Sequence, residues 1–130
     1  MAAPIKTKKI KKVPEGRGII HGKFSFNNTV LRLTKENGDA LGKTISAGSI
    51  GFKNTKKATL YAAQKTAEEI IKMAAEYGVN NLELQVRGIG AGRNAVIEKI
   101  LESQLLNVEA LADRTPIPYG GCRPRKKPRK

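Results

Sequence analysis

The first third of the chain alternates between apolar and polar side chains, with the period of two that is typical of half-buried β-strands. This alternation predicts strands at 17–26, 29–35 and about 40–46, and in the first strand it puts Phe24 and Phe26 on the apolar side and Lys23 on the polar side. Between the last two lies Asn37-Gly38, a dipeptide that accepts the positive φ angles of a type I′ turn. The pattern therefore predicts three antiparallel strands, with a tight hairpin between the second and the third.

Two later segments have the 3.6-residue period of amphipathic helices. The longer, at about 56–77, follows two candidate N-caps, Asn54 and Thr55, and ends at Gly78, which suits a left-handed C-terminus. Its predicted buried stripe is Leu60, Ala63, Ala67, Ile70, Ile71, Ala74 and Tyr77. The shorter helix, at about 94–104, is predicted to turn inward Val96, Ile97, Ile100, Leu101 and Leu105.

Residues 81–87 alternate again, and a last strand is marked by Val108, Ala110 and Ala112. The element order is β-β-β-α-β-α-β, in which the later strands follow helical crossovers and so run parallel. We predict an α/β fold: a single domain with a mixed five-stranded sheet, helices packed on it, and basic N- and C-terminal extensions. The predicted limits are a basic arm at 1–16, a globular domain at 17–114 and a Pro/Arg/Lys-rich tail at 115–130.

The chain carries 25 Lys and Arg against 11 Asp and Glu, and most of the resulting charge of +14 lies at its two ends. Residues 1–17 hold six basic side chains and one acidic, and residues 114–130 hold seven basic and none acidic. All six prolines also fall in these ends. A nearly balanced body with two cationic arms indicates a polyanionic partner, because neutralising phosphates releases counterions.

Several classes of protein do not fit the chain. No stretch has the roughly twenty apolar residues that a membrane span needs, and the first residues lack the apolar segment of a secretory signal. Cys122 is the only cysteine, which excludes an internal disulfide and a Cys-rich zinc site and fits a reducing intracellular setting. His21 is the only histidine, and no third group is identified that would orient a Cys–His pair. We therefore predict no enzymatic activity, no metal and no cofactor.

Two glycine-rich stretches are similar to nucleotide-binding motifs. Gly38–Thr44 is one residue short for a phosphate-binding P-loop and lies between two strands, so a hairpin is the better interpretation. Gly88–Arg93 joins a strand to a helix as in a dinucleotide site, with Glu109 about twenty residues on, but Arg93 stands where the third glycine is needed. Two interpretations of this stretch stay open. Its glycines make a tight turn, or helix N-terminal amides flanked by Arg87 and Arg93 bind a nucleic-acid phosphate.

Two further basic segments suggest phosphate binding. Lys53, Lys56 and Lys57 cluster before and within the first turn of the predicted long helix, where the helix dipole disfavours cations. A solvated loop and a phosphate site both explain them. The tail at 115–130 intersperses prolines with arginines, a pattern typical of an extended segment whose guanidinium groups fork onto phosphates. A merely solubilising tail explains its charge but not its proline spacing.

Four segments, together and in order, resemble the eleventh protein of the small ribosomal subunit, the S-eleven family, in its bacterial form. They are Phe24–Thr29, Ser46-Ala47-Gly48 with Gly51-Phe52-Lys53, Ala62-Ala63-Gln64, and the Gly88–Arg93 loop with the Thr115–Pro124 tail. The resemblance runs from about residue 18 to residue 130. The chain departs from the family by lacking prolines at Leu60, Ile89 and Ala91, and by having Tyr119-Gly120-Gly121-Cys122 in place of His-Asn-Gly-Cys.

The resemblance implies an α/β protein on the platform of the small subunit, which binds the central domain of small-subunit rRNA and stabilises it, near the mRNA exit path. It also implies neighbouring ribosomal proteins as partners and a cytoplasmic ribosome ahead of an organellar one, with no membrane and no small-molecule substrate. The charge alone also fits an alternative, a general nucleic-acid-binding protein of the nucleoid type. The Gly88–Arg93 loop also fits a second alternative, a small nucleotide-dependent enzyme. The residues expected to contact RNA are Lys8, Lys9, Lys11, Lys12, Arg17, Asn28, Lys53, Lys56, Lys57, Arg87, Gly88, Gly90, Gly92, Arg93, Arg114, Arg123, Arg125, Lys126, Lys127, Arg129 and Lys130.

Overall fold

A computed structural model describes residues 16–129 and contains the strands and helices in the predicted order. It adds one short 3-10 helix before the long α-helix. The elements are β1 (Arg17–Phe24), β2 (Thr29–Thr34), β3 (Ala40–Ser46), the 3-10 helix (Asn54–Ala58), α1 (Leu60–Glu76), β4 (Asn81–Gly88), α2 (Gly92–Glu102) and β5 (Asn107–Asp113).

The five strands form one mixed sheet in the order β3-β2-β1-β4-β5. The central strand β1 is antiparallel to β2 and parallel to β4. At the edges, β3 is antiparallel to β2, and β5 is parallel to β4. The predicted α/β class and mixed five-stranded sheet are therefore confirmed.

Both helices pack on the same face of this sheet. The crossovers β3-α1-β4 and β4-α2-β5 join parallel strands and step in the same direction across the sheet. Because such crossovers are right-handed, both helices come to lie on one side. There Ile20, Leu31 and Leu84 are fully buried in one cluster with Ile70 and Val96 of the helices. We call this side the covered face and the opposite side, which no helix of residues 16–129 covers, the open face.

The long helix begins later than predicted. Asn54–Ala58 form the separate 3-10 helix, and the chain is extended at Thr59. The Thr59 hydroxyl accepts a hydrogen bond from the Ala62 amide (3.2 Å), so Thr59 is the cap, and the predicted caps Asn54 and Thr55 were wrong. Leu60 then takes the first helical position and is 56% exposed rather than buried. That position tolerates proline, which fits the proline that the family resemblance implies there.

Three other predicted core positions are exposed for reasons of tertiary packing. Strand β1 ends at Phe24, and Phe26 lies in a tight turn closed by a 3.0 Å bond from the Ser25 amide to the Asn28 carbonyl. Helix α2 begins two residues earlier than predicted and ends at Glu102, so Leu105 lies in the connection to β5. Leu101, in the last turn of α2, is 57% exposed, and Leu105 is 64% exposed.

The last strand is also less buried than its pattern predicts. Strand β5 is an edge strand, and its register against β4 shifts between Leu82 and Glu83. After this irregularity Ala110 is exposed, while Val108 and Ala112 remain half-buried. An edge position and one register shift thus remove the clean alternation that the sequence suggests.

The hairpin between β2 and β3 lies where it was predicted, but its turn is not of type I′. Only Gly38 has a positive φ (95°), whereas type I′ needs positive φ at Asn37 as well. The Gly38 amide bonds to the Lys35 carbonyl (3.0 Å), and the Lys35 amide bonds to the Asp39 carbonyl (2.8 Å). The Asn37 side-chain oxygen accepts from the Asp39 amide (3.0 Å), which holds Asn37 in its ordinary conformation.

Candidate nucleic-acid interface

The loops that carry most of the predicted site residues meet at one end of the sheet, where β1, β4 and β5 have their carboxyl ends. The Gly90 amide donates to the Phe24 carbonyl (3.2 Å), which joins the loop after β4 to the end of β1. The Gly88 amide donates to the Thr115 hydroxyl (3.2 Å), which joins that loop to the tail. We call this region the carboxyl end of the sheet.

The three glycines of the loop after β4 are required by close packing. A Cβ at Gly88 (φ 99°) would lie 2.1 Å from the Phe24 carbonyl oxygen, and one at Gly90 would lie 2.2 Å from that of Ser25. At Gly92 a Cβ would lie 2.8 Å from the Cβ of Ala63. The tight-turn interpretation therefore describes this loop. The amides of Gly88 and Gly90 donate inside the protein, to Thr115 and Phe24, and contact of this loop with RNA stays a prediction.

Arg93 links this loop to the end of β5. Its Nη1 donates to the Gly88 carbonyl (3.2 Å), and its Nη2 pairs with Asp113 Oδ2 (2.9 Å). Asp113 Oδ1 also accepts from the Thr115 hydroxyl (2.6 Å) and amide (3.0 Å). These bonds, chiefly those from Thr115 and then that from Arg93, hold the pKa of Asp113 at about 2. Arg93 therefore joins the loop to the end of β5 within the protein, and its contact with a phosphate stays a prediction.

The predicted lysine cluster lies on the same side of the molecule. The Ala47 amide donates to the Thr29 carbonyl (3.1 Å), so the segment after β3 starts at the carboxyl end of the sheet. Lys53 and Lys56 are exposed and Lys57 is half-buried, and within residues 16–129 none of them has an acidic partner within 4.0 Å. Lys53 precedes the five-residue 3-10 helix and Lys56 and Lys57 lie within it, not in the first turn of α1, so the helix-dipole argument does not apply.

Other predicted positions are separated from this region or shape it indirectly. Arg17 lies at the opposite end of β1 and pairs with Glu36 at 3.7 Å. The Asn28 side-chain oxygen accepts from the Thr29 amide (2.9 Å), so Asn28 shapes the turn after β1. Five predicted sites lie outside the described residues: Lys8, Lys9, Lys11, Lys12 and Lys130.

The tail leaves the carboxyl end of the sheet and runs without helix or strand to residue 129. Its start is anchored, because the Arg114 amide donates to the Val86 carbonyl (2.7 Å) and Thr115 bonds to Asp113 and Gly88. Beyond Thr115 every residue up to 129 is exposed. Within the described chain no acidic group pairs with the five tail cations Arg123, Arg125, Lys126, Lys127 and Arg129.

The structure also brings together basic side chains that sequence reasoning did not select. The open face has a cavity of about 390 Å³ lined by polar and cationic groups from four strands and by Arg114, which precedes the tail. Its polar lining is His21, Lys23, Arg32, Thr44, Gln85, Arg87 and Arg114. Only Arg87 and Arg114 were predicted. The alternation in β1 placed Lys23 on a polar side, but the sheet register is needed to show which residues share that side.

The pKa of His21 is sensitive to the charges around this cavity. Burial among its neighbours lowers the pKa of His21 below the usual 6.5, and the charges of Arg114 and Arg87 lower it further, while Glu83 opposes them. The ring Nε2 is hydrogen-bonded to the Thr34 hydroxyl (3.1 Å). Burial is the largest cause, and the two arginines add to it as positive neighbours of His21 on the open face.

Neither metal chemistry nor a membrane span has support in the part of the chain that the structure describes. Within residues 16–129 no three His, Cys, Asp or Glu side chains come together as a metal site. Cys122 is an exposed free thiol in the tail. None of the helices there is both long enough and apolar enough to cross a bilayer.

Comparison with known proteins decides the family. A sequence profile described as "Ribosomal protein S11" matches residues 18–129. The chain belongs to the ribosomal protein S11 family. It is 45% identical to Small ribosomal subunit protein uS11 of Thiobacillus denitrificans, over 98% of this chain and 95% of the relative. The proteins of the same name from Nautilia profundicola and Kosmotoga olearia are 42% and 43% identical, each over 95% of this chain and 94% of the relative.

Membership in the ribosomal protein S11 family confirms the resemblance found in the sequence and gives this chain a structural ribosomal role. S11 proteins are structural components of a ribonucleoprotein and not enzymes. Membership in this family therefore confirms the predicted absence of enzymatic activity. The dinucleotide interpretation of the loop at 88–93 falls with it, since packing already accounts for its glycines.

Proposed function

We propose that this protein is a component of the small ribosomal subunit that binds and stabilises the platform of the subunit, the central domain of its rRNA. The small subunit is proposed because the names of the relatives specify it. The observation that carries the proposal of RNA binding is the tail, whose five described cations are exposed and lack acidic partners within residues 16–129. On the basis of the family resemblance, we also propose that the ribosome is cytoplasmic and that the protein lies near the mRNA exit path.

The mechanism is phosphate neutralisation by a tail with a fixed origin. Arg93, Asp113 and Thr115 tie the tail to the glycine loop, so the first residues of the tail start from a defined point. Prolines keep the following segment extended, and its guanidinium groups are suited to bidentate contacts with phosphates. Recognition of this kind follows the shape of folded RNA rather than the edges of its bases.

Neighbouring ribosomal proteins are proposed as further partners. Leu101, in the last turn of α2, and Leu105, in the connection from α2 to β5, are more than half exposed. Exposed apolar side chains that lie close together are typical of protein contacts. Their position away from the carboxyl end of the sheet leaves that end free for RNA.

Binding measurements across a salt series test the proposal. The full chain is titrated with a folded transcript of the small-subunit central domain and with a random DNA duplex of the same length. On the duplex, log K should fall with log salt by about 0.9 per phosphate neutralised. We expect the RNA complex to survive salt concentrations that dissociate the duplex. Coincident curves would instead establish a general nucleic-acid-binding protein and overturn the platform assignment.

A truncation tests the part assigned to the tail. Removing 120–130 deletes all the tail cations beyond Arg114 and should weaken RNA binding more than any single substitution in the globular domain. The matched control is a full-length chain in which residues 120–130 are scrambled, which keeps the charge and changes the proline spacing. Equal binding by the truncated and complete chains would contradict the role of the tail.

A further inference from the structure

We propose that the open face of the sheet, at its carboxyl end, is a second phosphate-binding surface for an RNA strand, centred on Lys23, Arg87 and Arg114. The inference rests on the proposed RNA-binding function and names a surface that the tail does not include. In this proposal the cavity of the open face binds the RNA backbone.

The register of the sheet places the three cations in one row. Lys23 of β1 and Arg87 of β4 are direct partners in the parallel pairing. Arg114 follows Asp113, the partner of Val86, and its amide bonds to the Val86 carbonyl (2.7 Å). Neighbouring strands are about 4.8 Å apart, so three positive side chains stand side by side across three strands. Like charges placed directly opposite destabilise a sheet, and a bound anion removes that repulsion.

These cations are not neutralised by the acidic groups of the described chain. No ion pair within residues 16–129 involves Lys23, Arg32, Arg87 or Arg114. Asp113, at the same end, pairs with Arg93, and Glu36, Glu83 and Glu109 line a separate cavity with Arg17 toward the other end of the sheet. The open face is therefore divided along the strands into an acidic end and a basic end.

Hydrogen-bonding groups lie between and beside the cations. In the next row His21 is the register partner of Arg32 on one side and of Gln85 on the other. Arg32 is held across the sheet by the Thr44 hydroxyl and the Gly42 carbonyl. The lowered pKa of His21 keeps its ring neutral near pH 7, so it adds a hydrogen-bonding group without adding another repulsive charge. Such neutral polar groups also contact phosphate and sugar in nucleic-acid complexes.

The surface fits RNA better than an acidic protein segment. Protein interfaces are organised around buried apolar and aromatic anchors. The lining of this cavity has Val30 and Val86 but no aromatic side chain other than His21. The row lies at the origin of the tail, because Arg114 directly precedes Thr115. The next cation along the tail is Arg123, after eight uncharged residues, so the row and the tail cations are two separate contacts for one RNA.

Matched substitutions test the surface in the full chain. Lys23→Gln removes one cation from the row, and Lys72→Gln removes one from the exposed outer side of α1, so both change the net charge equally. Loss of one phosphate contact should raise Kd for the central-domain transcript about five- to eightfold at 0.1 M salt and lower the salt slope by about 0.7 to 0.9. We expect this for Lys23→Gln, and a smaller change for Lys72→Gln.

The single histidine gives a local readout. His21 contributes the only imidazole resonances of the chain, and we expect them to shift when a short central-domain oligonucleotide binds and not when poly-glutamate is added. A shift with poly-glutamate alone would overturn the inference in favour of an acidic protein segment. Equal affinities of the Lys23 and Lys72 variants, with unmoved His21 resonances, would also overturn it.

The failure of this inference is distinguishable from failure of the proposed function. If Lys23→Gln has no specific effect while removal of 120–130 weakens binding, the tail alone binds RNA and the open face does not. If the unaltered chain does not bind the transcript at salt concentrations that dissociate duplex DNA, the proposed function itself is wrong. Thermal unfolding of each variant confirms that the fold is retained.

Discussion

The two faces of the sheet follow the same alternating pattern but differ in their surroundings, since one is buried under helices and the other is polar and open. Along β4, Leu84 and Val86 are buried under the helices, while Gln85 is half-buried and Arg87 exposed on the other side. Packing determines the covered face, where a lost side chain leaves a cavity. Charge determines the open face, where a lost side chain leaves the core intact. Stability and RNA affinity should therefore respond to different residues of the same strand.

The largest expected effect separates these two properties on adjacent residues. Leu84→Ala empties a fully buried position at the centre of the core and should lower the free energy of unfolding by about 2–5 kcal/mol. Gln85→Ala, the next residue on the open face, should change it by no more than about 0.5 kcal/mol. Urea denaturation of both variants measures the difference. Similar losses of unfolding free energy in both variants would show that the open face is packed in solution, contrary to the difference between the faces.

A second prediction concerns the glycine loop, where the two faces meet. Gly90→Ala places a Cβ 2.2 Å from the Ser25 carbonyl oxygen, and the resulting strain should lower the free energy of unfolding by about 1–3 kcal/mol. Gly48→Ala is the matched control, because its Cβ would meet nothing closer than 3.5 Å. Denaturation curves distinguish the two. A fully stable Gly90→Ala variant would mean that this loop is not held against β1.

The ion pair between Arg93 and Asp113 predicts that the stability of the fold depends on pH. Because the pKa of Asp113 is lowered from 3.8 to about 2, its ionised form stabilises the fold fully above pH 3.8, and this contribution is lost as pH falls through about 2. We expect Asp113→Asn to be less stable than the unaltered chain above pH 4, and the difference to narrow toward pH 2. Unfolding series at several pH values test this. A difference that is constant with pH would contradict it.

The smallest effect is the titration of His21. Its pKa is below 6.5 in the folded chain, so the unfolded chain binds more protons, and stability should rise with pH until about 6.5. Arg114→Gln removes a positive neighbour and should raise the pKa of His21, whereas Glu83→Gln removes the opposing acid and should lower it. An NMR titration of the single histidine measures both. Shifts of the same sign in both variants would refute the division of the open face into a basic and an acidic end.

The sequence predicted the element order well and the exposure of particular residues less well. Alternation and helical period found all five strands and both helices, because local pattern and burial agree over most of the core. They were wrong at Leu60, Phe26 and Leu101, since a period does not show where a helix starts or whether another element covers its far side. The glycine loop was found by pattern, but the internal bonds of its amides depend on Phe24 and Thr115, which are distant in sequence.

The sequence by itself determined the fold class, the charged ends and the family, because alternation, composition and motifs are local properties that survive without coordinates. Only the tertiary structure decided which cations lie together. Two right-handed crossovers in one direction placed both helices on one face and left the other open. The register then aligned Lys23 with Arg87, and the end of β5 brought Arg114 beside them. Such a row joins residues far apart in the chain, and contacts across strands depend on pairing that no local pattern specifies.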